Sequence, residues 1–394
     1  MNSQTITILH FTNSTARAGA EEHILTLLRG LDRRYFRLHL VCDPEITEKM
    51  RPDVPGDVEL ISLRFRAPSH LRAGLQLRRI LRERKVDILH SHLFWSSLFA
   101  SPVGRFSGVP LVIETQHVRE LWRKGLKSSF WIDRLAGSCV NRYIAVSEAN
   151  ARYLIGDKHL PATKVTVIRN GSDVRRFDPA YSAPPSLRAS LGFGSEDPVL
   201  VVVARLEPQK GHGVLLEAVP AIRQEFPGVR VVCVGDGVLK SDLLSKTVAL
   251  GLQDTVRFVG VQSNVEDWYA LAEISVLPSF YEGLPLVAIE SLAAGTPVVA
   301  TAVDGTPEIV VHGKTGLTVA PGDPKALAQA ICLLLRSPEL RRQFGAAGRK
   351  WVLEEFNEEQ QVRRTEQLYL QSFDRKAGSC VPAPSSPEVS APTV

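Results

Sequence analysis

Four charged residues in the second half of the sequence have the types and spacing to hold an anionic, hydroxyl-rich ligand: Arg205, Lys210, Glu282 and Glu290. Arg205 and Lys210 follow the strongest apolar run of the chain, Val199 to Ala204, and precede a helical pattern. A guanidinium and an ammonium leaving one strand end beside a helix N-terminus can clamp a diphosphate. Each by itself reads equally well as a solvated loop cation. The run Glu282-Gly283-Leu284-Pro285-Leu286 sits between an expected strand ending near Pro278 and a helix closing at Gly295. Gly283 makes the turn, and Pro285 suits the first helical turn, where its missing N–H would be unpaired anyway. Backbone N–H groups from Gly283 to Leu286 then form an anion-binding helix N-terminus. Glu282 and Glu290 lie eight residues apart, about 11 Å along a helix. That distance suits two contacts along one long ligand better than two carboxylates acting on one bond. The bland alternative is one capping Glu and one Glu on an exposed helix face.

Two weaker signals lie in the first half. Thr12 to Glu21 is a small-residue loop in which Gly19 would let backbone approach a phosphate. His117 follows the apolar run Leu111 to Ile113 and a short polar stretch, so it falls just past a strand end. Either a structural or a catalytic histidine fits that place. Other motifs fail. Gly235-Asp236-Gly237 has Lys240 where a dinucleotide fingerprint needs its third glycine, and no Asp-x-Asp pair offers carboxylates to a divalent metal. His90-Ser91-His92, read as lying just after a strand, has no Cys, Asp or Glu close by, so no metal is expected.

These residues need elements to carry them to one place. Short β-rich runs at 5–11, 37–42, 58–63, 86–90, 110–114, 143–146 and 165–168 alternate with helical spacing, notably at 21–31 and in the arginine-rich 71–84. Such alternation predicts a parallel sheet covered on both faces. Pro and Gly punctuate 178–198, and the pattern restarts with runs at 199–204, 229–235, 256–259, 274–278 and 298–301. The expected fold is therefore α/β, two Rossmann-like doubly wound domains facing across a cleft. The expected division is 1–180 for the N-terminal domain, 181–198 for a linker, 199–356 for the C-terminal domain, 357–376 for a last helix and 377–394 for a disordered tail. Ligands of such sheets bind at the carboxyl ends of the strands, so two facing domains place the site between them.

Composition sets the outer bounds. A chain of 394 residues, 44% hydrophobic and 23% charged, fits two globular domains. No apolar run approaches the ~20 residues of a spanning helix, and Met1 to Phe11 lacks the pattern of a secretory signal. Five scattered cysteines form no metal or disulfide pattern and fit a reducing cytoplasm. Residues 1–190 carry 29 Lys+Arg and 18 Asp+Glu, hence +11, whereas the remainder carries 18 and 24, hence −6.

Together these segments resemble the family 4 retaining glycosyltransferases of the GT-B fold (glycosyl transferases group 1). Glu282 through Glu290 looks like the family's E-x7-E motif, and Arg205 and Lys210 match its basic pair. Ala18-Gly19-Ala20-Glu21 looks like its Gly-Gly-x-Glu loop, with Ala18 in place of the first glycine; Asn170-Gly171-x-Asp173 and Phe258-x-Gly260 also match. The resemblance spans about residues 5–373. It implies a metal-independent hexosyltransferase without cofactor, moving sugar from a nucleotide-diphosphate sugar, UDP-sugar before GDP-sugar, to an acceptor hydroxyl in polysaccharide or glycolipid synthesis. It implies that Arg205 and Lys210 neutralise the diphosphate and that Glu290 holds the ribose. Glu282 and His117 would touch the transferred sugar, Gly283, Leu284, Pro285 and Leu286 the sugar and phosphates, and Val261 the base. The N-terminal domain would take the acceptor, and the last helix would cross back onto it.

A nucleotide-sugar 2-epimerase of the same architecture and a non-catalytic sugar-nucleotide-binding module are the alternatives. The partners expected are a nucleotide sugar and a sugar, glycan or lipid-linked acceptor, with no nucleic acid. The N-terminal basic excess gathers in Leu63 to Lys85 and in Arg119 to Arg134, where Trp122, Phe130 and Trp131 interleave with cations. Basic residues beside aromatics suit the cytoplasmic face of an anionic membrane. A solvated arginine-rich helix plus an aromatic core segment is the other reading.

Overall fold

A computed structural model describes residues 5–14, 17–65, 70–120 and 130–377. Thr15, Ala16, Arg66, the basic-aromatic run 121–129 and the tail from 378 onward lie outside the described residues. The first half runs β1 (Ile6–Phe11), α1 (Gly19–Gly30), β2 (Phe36–Cys42), α2 (Pro44–Met50), β3 (Glu59–Ser62), α3 (His70–Glu83) and β4 (Ile88–His92). It continues with α4 (Phe94–Ser107), β5 (Leu111–Gln116), α5 (Phe130–Gly137), β6 (Arg142–Ala145), α6 (Glu148–Arg152) and β7 (Val165–Val167). The second half runs α7 (Pro185–Ser190), β8 (Val199–Val203), α8 (His212–Glu225), β9 (Arg230–Val234), α9 (Lys240–Ala249), β10 (Val256–Gly260), α10 (Val265–Leu271) and β11 (Ile274–Leu277). After it come α11 (Leu286–Ala293), β12 (Val298–Thr301), α12 (Thr306–Ile309), β13 (Gly316–Val319), α13 (Pro324–Arg336), α14 (Pro338–Glu355) and α15 (Glu358–Ala377).

The strands build two wholly parallel sheets, one of seven strands in the order β3-β2-β1-β4-β5-β6-β7 and one of six in the order β10-β9-β8-β11-β12-β13. Central strands are buried end to end, as a sheet covered on both faces requires. The order reverses between β1 and β4 and between β8 and β11, and at such switch points the loops diverge to leave a crevice. The loops holding Gly19, Arg205 to Lys210 and Glu282 to Leu286 all follow these switch-point strands. The fold is thus the expected pair of doubly wound domains.

Several details differ from the sequence reading. The segment expected as a linker is packed: Phe193 is buried in the core that holds Tyr269 and Leu292, Ala183, Leu187 and Leu191 pack against that core, and α7 forms inside the segment. Strand β4 runs on through His90-Ser91-His92, because both faces of this central strand are covered and even its polar residues are buried. Pro285 precedes α11 as its cap residue, with ψ of 111° in the extended region, and does not occupy the first helical position. It has no N–H, so the donors of that run come from Gly283, Leu284 and Leu286.

α15 lies against α1, and its Val362, Leu368 and Tyr369 are buried in the core of the first sheet. Asn357 caps it by accepting from the Gln360 N–H at 2.9 Å. The Asn170-Gly171 motif docks its start. The Gly171 N–H donates to Gln361 Oε1 at 2.6 Å, and a Cβ on Gly171 would lie 2.3 Å from the Asn357 carbonyl.

Candidate active site between the two sheets

The loops after β8 and β11 are laced together. The Phe280 N–H donates to the Gln209 carbonyl at 2.8 Å, and Gln209 Nε2 donates to the Tyr281 carbonyl at 2.9 Å. Gly211 has φ of 66°, and a Cβ there would stand 2.0 Å from the Pro278 carbonyl, so only glycine lets the loops approach this closely. The lacing sets Lys210 over Glu282: Nζ donates to Oε1 at 2.7 Å, and Ser279 Oγ donates to the same oxygen at 2.7 Å. Glu282 is buried. Both bonds use Oε1, and Oε2 keeps its capacity to accept from a ligand hydroxyl. Arg205 is half exposed and pairs with Glu207.

The second loop also touches the first sheet. A Cβ on Gly283 would lie 1.6 Å from the His117 carbonyl oxygen, so glycine is what allows the two domains to meet here. Gly305 abuts Ser147 in the same way, at 2.9 Å to its Cβ. The contact is braced by a residue that the sequence reading missed. Asp304 Oδ2 accepts the Glu282 N–H at 2.9 Å, and Oδ1 pairs with Arg119 Nε at 2.5 Å. Asp304-Gly305 directly after an apolar strand was the available signal, since Asp tolerates the φ of 43° found here. Across the cleft, Gly19 opens α1 and lies 3.9 Å from Leu286 Cδ1, measured from where its Cβ would be. Ala18 caps that helix only through its backbone. Its N–H donates to Glu21 Oε2 at 2.9 Å, and burial lifts the Glu21 carboxyl to about 6.

Glu290 sits along α11 with Tyr269 OH donating to its Oε2 at 3.3 Å. Desolvation raises its carboxyl to about 7, opposed by that hydrogen bond and by Arg176. It is therefore not the exposed helix-face carboxylate of the bland alternative. Val261, just beyond β10, is largely exposed.

His117 brings with it a cluster that sequence spacing does not reveal. His10, His23, His90, His92 and His117 are all buried beneath the cleft. His92 Nε2 faces His10 Nδ1 at 3.1 Å, and its Nδ1 faces His117 Nε2 at 3.4 Å. His90 is held by Tyr369 OH at 2.6 Å and Thr115 Oγ1 at 2.7 Å. His23 Nδ1 meets Asn170 Oδ1 at 2.8 Å and Gln361 Nε2 at 3.0 Å, tying α1 to α15. Desolvation depresses all five, His10 to about 3, His23 to about 4 and the others well below the usual imidazole value, so the cluster is neutral. Two triads, His10-His90-His92 and His23-His92-His117, bring potential ligand nitrogens within 4.8 Å of one another. Most of those nitrogens are already engaged in the polar network just described. Among the described residues these two triads are the groups whose spacing fits a metal ion.

The arrangement can hold a diphosphate between two cations and a helix N-terminus, grip a polyol with Glu282 and Glu290, and present His117 from the facing domain. Comparison with known proteins points the same way. Residues 17–176 match the model of Glycosyltransferase Family 4, and residues 185–351 that of Glycosyl transferases group 1. A D-inositol 3-phosphate glycosyltransferase of Thermobispora bispora is 31% identical over 388 residues, covering 93% of this chain and 85% of that protein. An Escherichia coli UDP-Gal:alpha-D-GlcNAc-diphosphoundecaprenol alpha-1,3-galactosyltransferase is 24% identical over 93% of this chain and 97% of its own length. In fold, the chain is similar to Anabaena HepE, crystallised with UDP, with a TM-score of 0.79 at 20% identity over 93% of this chain and 100% of that one.

Proposed function

The chain belongs to the family 4, group 1 glycosyltransferases, and from that premise we propose that it is a retaining, metal-independent hexosyltransferase. Its donor is a nucleotide-diphosphate sugar, UDP-linked in preference to GDP-linked, and its acceptor a hydroxyl of a glycan or lipid-linked sugar in cell-surface polysaccharide or glycolipid synthesis. The reaction belongs at the cytoplasmic side of the membrane. One observation carries this reading: Lys210, on the loop after β8, forms an ion pair with Glu282, on the loop after β11 whose Gly283 rests on the His117 carbonyl. Donor-type and acceptor-side groups from two sheets thereby meet at one point.

Bond breaking puts growing negative charge on the departing nucleoside diphosphate. An ammonium carries three donors, so Lys210 can keep Glu282 and add a phosphate oxygen. Arg205 reaches the same charge by giving part of its five-donor fork to phosphate while Glu207 holds the rest. Cations fixed beforehand stabilise developing charge more in the transition state than in the ground state, which is how they replace a divalent ion. Glu282 Oε2 accepts a hydroxyl of the transferred sugar, Glu290 a ribose hydroxyl, and neutral His117 faces the sugar from the other domain. Val261 lies at the base side, Gly19 at the sugar-phosphate side.

The experiment is a thermal-shift and turnover screen over nucleotides and nucleotide sugars, with and without EDTA. Stabilisation by a nucleoside diphosphate and EDTA-resistant transfer are expected, because binding to the folded state raises its stability by mass action. Conversion of UDP-N-acetylglucosamine to a 2-epimer without acceptor would replace the transferase by an epimerase. Magnesium-reversible loss of transfer in EDTA would remove charge neutralisation from Arg205 and Lys210 alone.

A further inference from the structure

We propose that the exposed apolar ends of α3, α4 and α5 form a docking rim for an anionic bilayer, seating the acceptor side of the cleft on lipid. The inference rests on the lipid-linked acceptor proposed above. Each of these helices follows a strand of a parallel sheet, so its N-terminus lies at the sheet's carboxyl edge, where the cleft opens. Five large apolar side chains stand exposed on these helices, four in the N-terminal halves and Leu135 in the second half of the short α5. They are Leu71 and Leu75 in α3, Trp95 in α4, and Trp131 and Leu135 in α5, with exposures from 57% to 79%.

The three helices are neighbours, α3 packing on α4 and α4 on α5. Gly74 lets α3 close on α4, with the Phe99 ring 3.6 Å from where its Cβ would be. The exposed residues therefore line one rim rather than scatter, as single surface hydrophobes ordinarily do.

Charge selects the occupant. Leu71, Leu75, Arg78 and Arg82 follow at intervals of four, three and four residues, one stripe of the helix surface. Arg79 on the adjacent stripe is paired with Glu83 at 2.6 Å, whereas among the described residues Arg78 and Arg82 have no carboxylate partner. Arg78 stands about 4.5 Å, and Arg82 about 10 Å, behind Leu75 along the axis. On α5, exposed Arg134 sits between Trp131 and Leu135. Apolar tips with cations one to three turns behind match the depth profile of a membrane interface. Rings and leucines enter the headgroup boundary while guanidinium groups stay with anionic phosphates. Phe106 is equally exposed but lies at the opposite end of α4, away from the rim, and serves as an internal control.

The test is co-sedimentation with vesicles of phosphatidylcholine alone or mixed equally with phosphatidylglycerol, at low and high salt. Wild type should bind the mixed vesicles at low salt and release at high salt. Each arginine near an anionic surface is worth about 1 kcal/mol, so Arg78→Ser with Arg82→Ser should weaken binding about 30-fold. Leu71→Ser with Leu75→Ser, and Trp131→Ser, should weaken the low-salt binding, and Phe106→Ser should not. Nucleotide-induced thermal shifts should be the same in all variants, which keeps failure of the rim apart from failure of the glycosyltransferase reading. Absence of binding to mixed vesicles at low salt would overturn the proposal. So would equal loss in Phe106→Ser, or a wild-type dimer in solution that Leu71→Ser with Leu75→Ser dissolves.

Discussion

At the residue scale the site is a set of charged groups, each held by a specific partner. Lys210 lies over buried Glu282, so Lys210→Ala removes both a diphosphate contact and the charge that compensates that carboxylate. We expect kcat to fall by at least a hundredfold, about 3 kcal/mol in the barrier. Arg205→Ala, on a half-exposed residue paired with Glu207, should leave the melting temperature nearly unchanged while slowing turnover; steady-state kinetics and thermal melts check both. Glu290 makes a pH prediction. Its carboxyl is raised to about 7, so the neutral form dominates below that pH and the carboxylate above it. A ribose hydroxyl donates best to the carboxylate, so donor affinity should rise as pH rises through about 7. Glu290→Gln should bind more weakly at high pH and lose this dependence, as measured by calorimetric titration of nucleoside diphosphate across pH 6 to 8.5, roughly one to two units around the shifted value.

At the element scale, glycines decide how closely loops and sheets approach. A Cβ at Gly283 would meet the His117 carbonyl at 1.6 Å, a distance that forces the loop before α11 away from β5. Gly283→Ala should therefore cost stability by about 1–3 kcal/mol, as overpacking does. It should lower kcat more than tenfold by displacing Glu282 from His117. The melt and the kinetics together distinguish displacement from simple unfolding. The same reasoning explains the partial legibility of this region. The turn, the helix stop at Gly295 and the placing of Arg205 and Lys210 in the loop after β8 follow from local chemistry. That Pro285 falls before the helix, and that Asp304 braces the Glu282 N–H, depends on which loop β12 delivers to the site.

At the scale of the whole molecule, the buried histidines couple the site to the domain crossing. Tyr369 of α15 holds His90, and Gln361 of α15 meets His23. His10 and His23 are depressed to about 3 and about 4, and His90, His92 and His117 well below their ordinary value. Between those values and about 6.5 the unfolded chain binds more protons than the folded one, so stability rises with pH there. Acidification below about 6.5 should cost up to about 1.4 kcal/mol per pH unit for each histidine held neutral. A melting temperature that stays flat from pH 7 to 5, roughly the window this slope spans, would contradict the neutral cluster. His10→Gln with His92→Gln should make the profile shallower, since His23, His90 and His117 keep their share of the slope.

The sequence by itself determined the two-domain α/β architecture, because strand and helix periodicities are local and a parallel sheet writes buried strands as continuous apolar runs. It also marked the loops that hold Arg205, Lys210, Glu282 and Glu290, since glycine and proline report turn geometry at short range. Tertiary structure alone decided which of these loops meet. His10, His23, His92 and His117 come from four separate segments, and Arg119 and Asp304 pair across 185 positions. Such contacts join one side chain from each segment, and neither spacing nor composition records a single long-range neighbour. The sheet order does record it: reversal beside β1 and beside β8 is what brings those segments to one crevice.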